Sequence, residues 1–292
     1  MSTILEVRHR TTYSYASPVQ FGEHRLMFRP LAGHDLRVID WDLTTNVAWR
    51  AHWIQDTFSN SVAVVTFHEP AAELTFVCRF SVEHYGVRDH ELPLEGRAEK
   101  LPLELTPDEW IDLQGFLRPH SRDAIGSVAG WAREMLRAGK HETRAVLRHM
   151  MDYMREQFAY QSRDVEGTQE AHETLRLRSG TCRDYAWLMI EAARCLGLAA
   201  RFVSGYLYDP ALDGGPRTAL GSGSTHAWLN VYLPGAGWVL YDPTNRLAGG
   251  QELIRVAIAR HPGQAAPLSG SWVGNPADYR GMDVNVEVRR LS

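Results

Sequence analysis

Cys182, His226 and Asp242 have the types and surroundings needed for nucleophilic acyl chemistry. Cys182 follows Ser179-Gly180-Thr181 and opens a helical pattern. Its apolar stripe is Ala186, Met189, Ile190, Ala193 and Leu196, with Gly197 where a helix would stop. A helix N-terminus carries unpaired N–H groups and roughly half a positive charge. A thiol held there loses its proton more readily. The same N–H groups, that of Cys182 first, can hold an oxyanion. His226 opens the apolar run H-A-W-L-N-V-Y-L after a Gly-rich loop at 209–225. Asp242 closes the run W-V-L-Y-D, directly before Pro243. A turn at Pro234 to Gly237 makes these two runs a hairpin. His226 and Asp242 then lie near the same end of neighbouring strands, where the carboxylate can accept the imidazole N–H and fix its tautomer. The three supply nucleophile, base and orienter. Taken singly, each has an ordinary structural explanation: a packed thiol, a satisfied strand histidine, an Asp that turns the chain. Their order and context single them out.

The elements that must position them fall into two styles. Residues 3–85 alternate with period two. Thr11 to Tyr15, Val62 to Phe67 and Leu74 to Val82 read as half-buried strands, and Leu74, Phe76, Cys78, Phe80 and Val82 share one side. Breakers at Ser17-Pro18, Arg29-Pro30, Ala32-Gly33, Asp56 to Ser61 and Glu69-Pro70 separate the strands. Short strands so spaced predict an antiparallel β-sandwich, with Cys78 packed inside it. Residues 86–121 are rich in Pro and Gly and read as a linker with one short helix near 108–117, opened by the Thr106-x-x-Glu109 capping box. Helical spacing returns over 125–136 and 144–158, where the methionines fill a core face. After the Cys182 helix come a strand at 200–208 and the hairpin. The whole predicts an α+β protein, helices packed on an antiparallel sheet. Its expected parts are a β-rich domain at 1–88, a linker at 89–121, a catalytic core at 122–250, and C-terminal strands at 251–292 that return to the N-terminal domain or the core.

Composition narrows the classes. An apolar share of 44% with 23% charged residues is that of a folded soluble chain. The net charge of −4 leaves no global basic footprint for nucleic acid. Three cysteines form no disulfide scaffold and fit a reducing compartment, so the cytoplasm is the expected location. The N-terminus lacks the apolar middle of a secretory signal. No run of 18 apolar residues is present, so no membrane span is expected. The absence of C-x-x-C, HExxH and EF-hand patterns predicts neither metal nor cofactor.

The stretch G-T-C-R-D-Y-A-W-L at 180–188 resembles the cysteine motif of the transglutaminase-like superfamily. H-A-W-L-N-V-Y-L at 226–233 and G-W-V-L-Y-D-P-T-N at 237–245 resemble its histidine and aspartate motifs, and residues 3–85, with D-T-F-S-N at 56–60, resemble the N-terminal domain of bacterial members. The resemblance implies a papain-like catalytic fold with Cys182 as nucleophile, His226 as base and Asp242 as orienter. Tyr160 lies upstream of the cysteine motif, where the superfamily often has an aromatic residue. Its hydroxyl, or the Gln161 amide, could be a second oxyanion donor, and Trp228 could wall the cleft. Asp184 is expected to complement the helix dipole. No role is carried over for His261, and none for calcium. The expected partner is a peptide or protein substrate. The expected reaction is thioester-mediated acyl transfer, with water as acceptor. Amine transfer and a non-catalytic binding module are the alternatives.

Overall fold

The computed structural model describes residues 2–120, 126–161, 167–210, 219–220 and 223–291. Most of the Gly-rich stretch expected as a loop, residues 211–218 and 221–222, lies outside them, as do residues 121–125. The N-terminal strands are β1 (Thr3–Leu26), β2 (Leu36–Thr45), β3 (Trp49–Gln55), β4 (Ser61–Phe67) and β5 (Ala71–His84). They form an antiparallel sheet in the order β2-β5-β1-β4-β3. Alternation drives it: Leu5, Val7, His9 and Thr11 of β1 point inward while their neighbours face out.

Ser17-Pro18 does not end the first strand, contrary to the sequence expectation. β1 spans 24 residues in all and changes partners there. Its first half pairs with β5, and the register shifts between Ser14 and Val19. Its second half pairs with β4. Proline has no N–H to donate, so the ladder breaks locally while the chain runs on. The two halves curl face to face. Phe67 of β4 meets Phe76 of β5 with ring centroids 6.0 Å apart.

The chain then forms α1 (Pro107–Leu117), α2 (Ser127–Ala138), α3 (Thr143–Gln157), β6 (Ala159–Tyr160), α4 (Ala171–Leu177), β7 (Ser179–Gly180) and α5 (Cys182–Cys195). The capping box of α1 is present: Thr106 Oγ1 accepts from the Glu109 amide at 3.2 Å, and Glu109 Oε2 accepts from the Thr106 amide at 2.8 Å. Next come β8 (Ala200–Leu207), β9 (His226–Leu233), β10 (Gly237–Asp242), β11 (Leu247–Ala248) and β12 (Leu253–Ala259), in the antiparallel order β11-β10-β9-β8-β12. β13 (Leu268–Val273) and β14 (Tyr279–Arg290) return to the first sheet and pair with β1.

The two faces of the second sheet have separate jobs. Ala227, Leu229 and Val231 of β9 join the main core with Ala186, Met189 and Ile190 of α5. The alternate residue Trp228 packs with Val203, Leu253 and Ile258 in a second cluster on the other face. The N-terminal strands dock on that side through polar pins. Asn60, fully buried, donates to the Ile258 carbonyl at 2.7 Å and accepts from the Ile258 amide at 2.8 Å. Asp56 in turn holds the Asn60 amide at 2.9 Å, which gives the D-T-F-S-N turn a docking role. His9 Nδ1 and the Tyr206 hydroxyl are 2.8 Å apart. Among the described residues no helix is long and apolar enough to cross a membrane.

Candidate active site

Cys182 is the first residue of α5, and the local sequence explains why the helix starts there. Thr181 is the N-cap. Asp184, three residues on, accepts from the Thr181 amide at 2.8 Å and from the Thr181 hydroxyl at 2.9 Å. It also accepts from the Gln169 amide at 2.7 Å. This buried carboxylate therefore fixes the helix end and complements its dipole. Gly180 makes room for it: a Cβ there would come within 2.8 Å of Asp184 Cβ. The cysteine is left at the positive end of a fully packed helix, itself 6% exposed.

His226 and Asp242 come from the paired strands β9 and β10. Both are essentially buried. His226 Nε2 donates to Asp242 Oδ2 at 2.8 Å. The carboxylate is held by two more donors, Asn245 Nδ2 to Oδ2 at 2.9 Å and the Thr244 amide to Oδ1 at 2.9 Å. His226 Nδ1 is buried and has no hydrogen-bond partner, and the Cys182 side chain acts on the imidazole. The electrostatics agree. Burial alone would depress the His226 pKa, but the Asp242 carboxylate and then the Cys182 thiolate outweigh it and raise it to about 10. Burial would raise the Cys182 pKa, yet the His226 imidazolium and the Arg183 guanidinium bring it below its ordinary value. Burial also opposes ionisation of Asp242, and His226, Asn245 and the Thr244 amide overcome that. The favoured state is a thiolate–imidazolium pair anchored on a carboxylate.

The remaining cysteines differ. Burial pushes Cys78 up to about 12 and Cys195 up to about 11. Cys78 is wholly buried in the N-terminal core.

Tyr160 is brought to the sulfur by a two-residue parallel bridge, Ala159 to Ser179 and Tyr160 to Gly180. Burial raises its pKa, and the neighbouring Cys182 side chain raises it further. The neutral phenol thus keeps its proton beside Cys182. The Gln161 backbone N–H donates to the Gly180 carbonyl at 3.0 Å, and the residue is exposed. Trp228 is 1% exposed and lies against His226, rings 6.2 Å apart at 27°. It therefore backs the imidazole and presents no surface to a substrate. His261 packs edge-on against Trp187, with centroids 4.8 Å apart.

Asn245 and Arg183 belong to the site and were not singled out from the sequence. The spacing from Asp242 to Asn245, across Pro243-Thr244, was the available signal, since a turn of that length folds an amide back on the carboxylate. Among the described residues no group of three or more His, Cys, Asp or Glu could hold a metal ion.

Fold and site together define a class, and comparison with known proteins agrees. Residues 129–243 match the Transglutaminase-like superfamily, and residues 5–83 match the Bacterial transglutaminase-like N-terminal region. The chain belongs to the transglutaminase-like superfamily. It is 30% identical to an uncharacterized protein of Mycobacterium tuberculosis over 295 residues, covering 97% of this chain and 91% of that one. A shorter stretch of 71 residues, 24% of this chain and 11% of the other, is 35% identical to a protein-glutamine gamma-glutamyltransferase of Pseudomonas aeruginosa. A crystal structure of a provisionally assigned cysteine protease from Cytophaga hutchinsonii shares the fold, with a TM-score of 0.71 at 18% identity over 100% of this chain and 92% of that one.

Proposed function

We propose that the protein is a cysteine-dependent hydrolase of peptide or amide bonds, with Cys182 as nucleophile, His226 as acid and base, and Asp242 as orienter. One observation carries this reading: a thiol at a helix N-terminus shares a buried site with an imidazole held 2.8 Å from a carboxylate. The Cys182 thiolate attacks the carbonyl carbon, and a C–S bond forms. Charge gathers on the carbonyl oxygen, where the Cys182 backbone N–H and the Tyr160 hydroxyl are the donors. The C–N bond then breaks, and the His226 imidazolium gives its proton to the leaving amine. Water attacks the thioester while His226 takes a proton from it. The carboxylic acid leaves and the thiolate–imidazolium pair is restored. Asp242 keeps the ring in the tautomer that both steps need.

Water is the proposed acceptor because it needs no dedicated binding site, whereas an amine acceptor does. The substrate is a peptide or protein. We place the reaction in the reducing cytoplasm, where a free nucleophilic thiol persists. The local likeness to a gamma-glutamyltransferase favours amine transfer as the second reading. Mass spectrometry of acyl-donor peptides, with and without a primary amine, separates the two. Hydrolysed product should dominate, and Cys182→Ala should abolish turnover. Dominant amine adducts would replace hydrolysis by transfer. Full turnover by the Cys182→Ala protein would end both readings.

A further inference from the structure

A cavity of about 340 Å³ lies where the N-terminal strands meet the face of the second sheet that carries Trp228. Arg201 of β8 and Asn230 of β9 are directly opposite each other in register and both line it. The Arg201 guanidinium lies 4.0 Å above the Trp238 ring. Its Nε is buried with no hydrogen-bond partner, and no carboxylate pairs with it among the described residues. The neighbouring cation, Arg255, is already engaged. It makes a bidentate pair with Asp35 at 2.6 and 2.7 Å. His84, also on the wall, lies 3.1 Å from the Leu253 carbonyl through Nε2 and accepts the Gly86 amide through Nδ1 at 3.0 Å, so it is neutral. Asn230 lines the same cavity and is 7% exposed, and its side-chain Nδ2 is the group able to donate there. Two guanidiniums therefore line a polar cavity, and only Arg255 has a carboxylate partner there among the described residues.

A half-buried cation without a counter-charge is costly, and stacking on an indole offsets only part of that cost. The depressed Arg201 pKa, caused by burial and then by Arg255, reflects the same imbalance. A guanidinium held over an aromatic ring keeps its outer N–H groups available, and such groups grip a planar or tetrahedral oxyanion in pairs. We propose that this cavity binds a small oxyanion ligand, a carboxylate or a phosphate, with Arg201 as the bidentate donor and the Asn230 amide as the second polar contact. The site is separate from the candidate catalytic centre. Cys182, His226 and Asp242 are not among the cavity's lining residues, and Trp228, which is, stacks on His226.

The test is a titration of the whole protein with inorganic phosphate and, separately, with acetate, against chloride at matched ionic strength. It is read by melting temperature and by calorimetry. At least one of the two anions should bind saturably at one site per chain. Saturation by phosphate alone, by acetate alone, or by both identifies the oxyanion the site takes, and each supports the proposal. Arg201→Met should weaken binding at least tenfold while melting no lower than wild type in chloride, because it removes an unpaired, half-buried cation. If that variant fails to fold, Asn230→Leu serves in its place with the same tenfold loss. Cys182→Ala should bind as wild type does, which keeps this result independent of the proposed catalysis. Saturable binding by neither anion, or undiminished binding by the Arg201 or Asn230 variant, would overturn the site.

Discussion

Asp242→Asn is the sharpest perturbation of the proposed chemistry, because it removes a charge while keeping the side chain's shape. The His226 pKa stands at about 10 against 6.5 for a free histidine, which corresponds to about 5 kcal/mol in favour of the imidazolium. Asp242 is the larger of the two groups that raise it, ahead of Cys182. Its neutralisation should therefore remove about half or more, on the order of 2–3 kcal/mol, or up to roughly 30- to 150-fold in the population of the thiolate–imidazolium pair. The assay is alkylation by iodoacetamide at pH 6, with each cysteine followed by peptide mass spectrometry. In the wild type Cys182 should react far faster than Cys78 and Cys195, whose thiols are pushed up to about 12 and 11. These two act as internal controls for unfolding. In Asp242→Asn the Cys182 rate should fall toward theirs, and its alkylation profile should move to higher pH. Equal rates for all three cysteines in the wild type would refute the ion-pair argument. So would a Cys182 profile that Asp242→Asn leaves unmoved.

Other outcomes follow from the same contacts. Tyr160→Phe should lower kcat by about 100-fold, the usual cost of losing one oxyanion donor, while Cys182 alkylation persists; an unchanged kcat would make Tyr160 a packing residue only. Gly180→Ala should lower stability by about 1–3 kcal/mol, measured by urea unfolding, because its Cβ would press on the Asp184 carboxylate that caps α5. Burial lowers the His9 pKa to about 4, so protonation favours the unfolded chain. Its contribution is complete above pH 6.5 and fades by up to about 3 kcal/mol as pH falls through about 4. His9→Gln should flatten that window of the stability curve, and an unaltered slope would assign the acid sensitivity elsewhere.

The parts of the fold legible in the sequence are those whose pattern is local. The alternation of Leu74 to Val82, the Thr106–Glu109 box and the apolar stripe of α5 each announce themselves within a dozen residues. The positions of Cys182, His226 and Asp242 at element ends were legible for the same reason. Partner choice was not. Nothing around Ser17-Pro18 distinguishes a strand that stops from one that exchanges neighbours, because the difference lies in β4, β13 and β14, far along the chain. α4 spans seven residues and buries only Ala171 and Thr174, too little for a helical stripe. Tyr160 reaches the sulfur through a bridge of two residues, which no period can reveal. The triple anchoring of Asp242 needed the turn geometry that lets Asn245 fold back.

The pairing of β1 has a consequence for biosynthesis. Leu5 meets Val82 on one side and Arg290 on the other. The first edge can be covered soon after it leaves the ribosome. The second must wait for the translation of roughly 285 more residues, about 15–60 s at 5–20 residues per second. Throughout that interval a row of backbone N–H and C=O groups stands open to any other extended segment, including the same strand of a neighbouring nascent chain. The hazard in making this protein therefore lies at the seam closed last, far from its chemistry, and a chaperone that shields a bare strand edge would raise the yield of folded molecules more than one that shields the helical core.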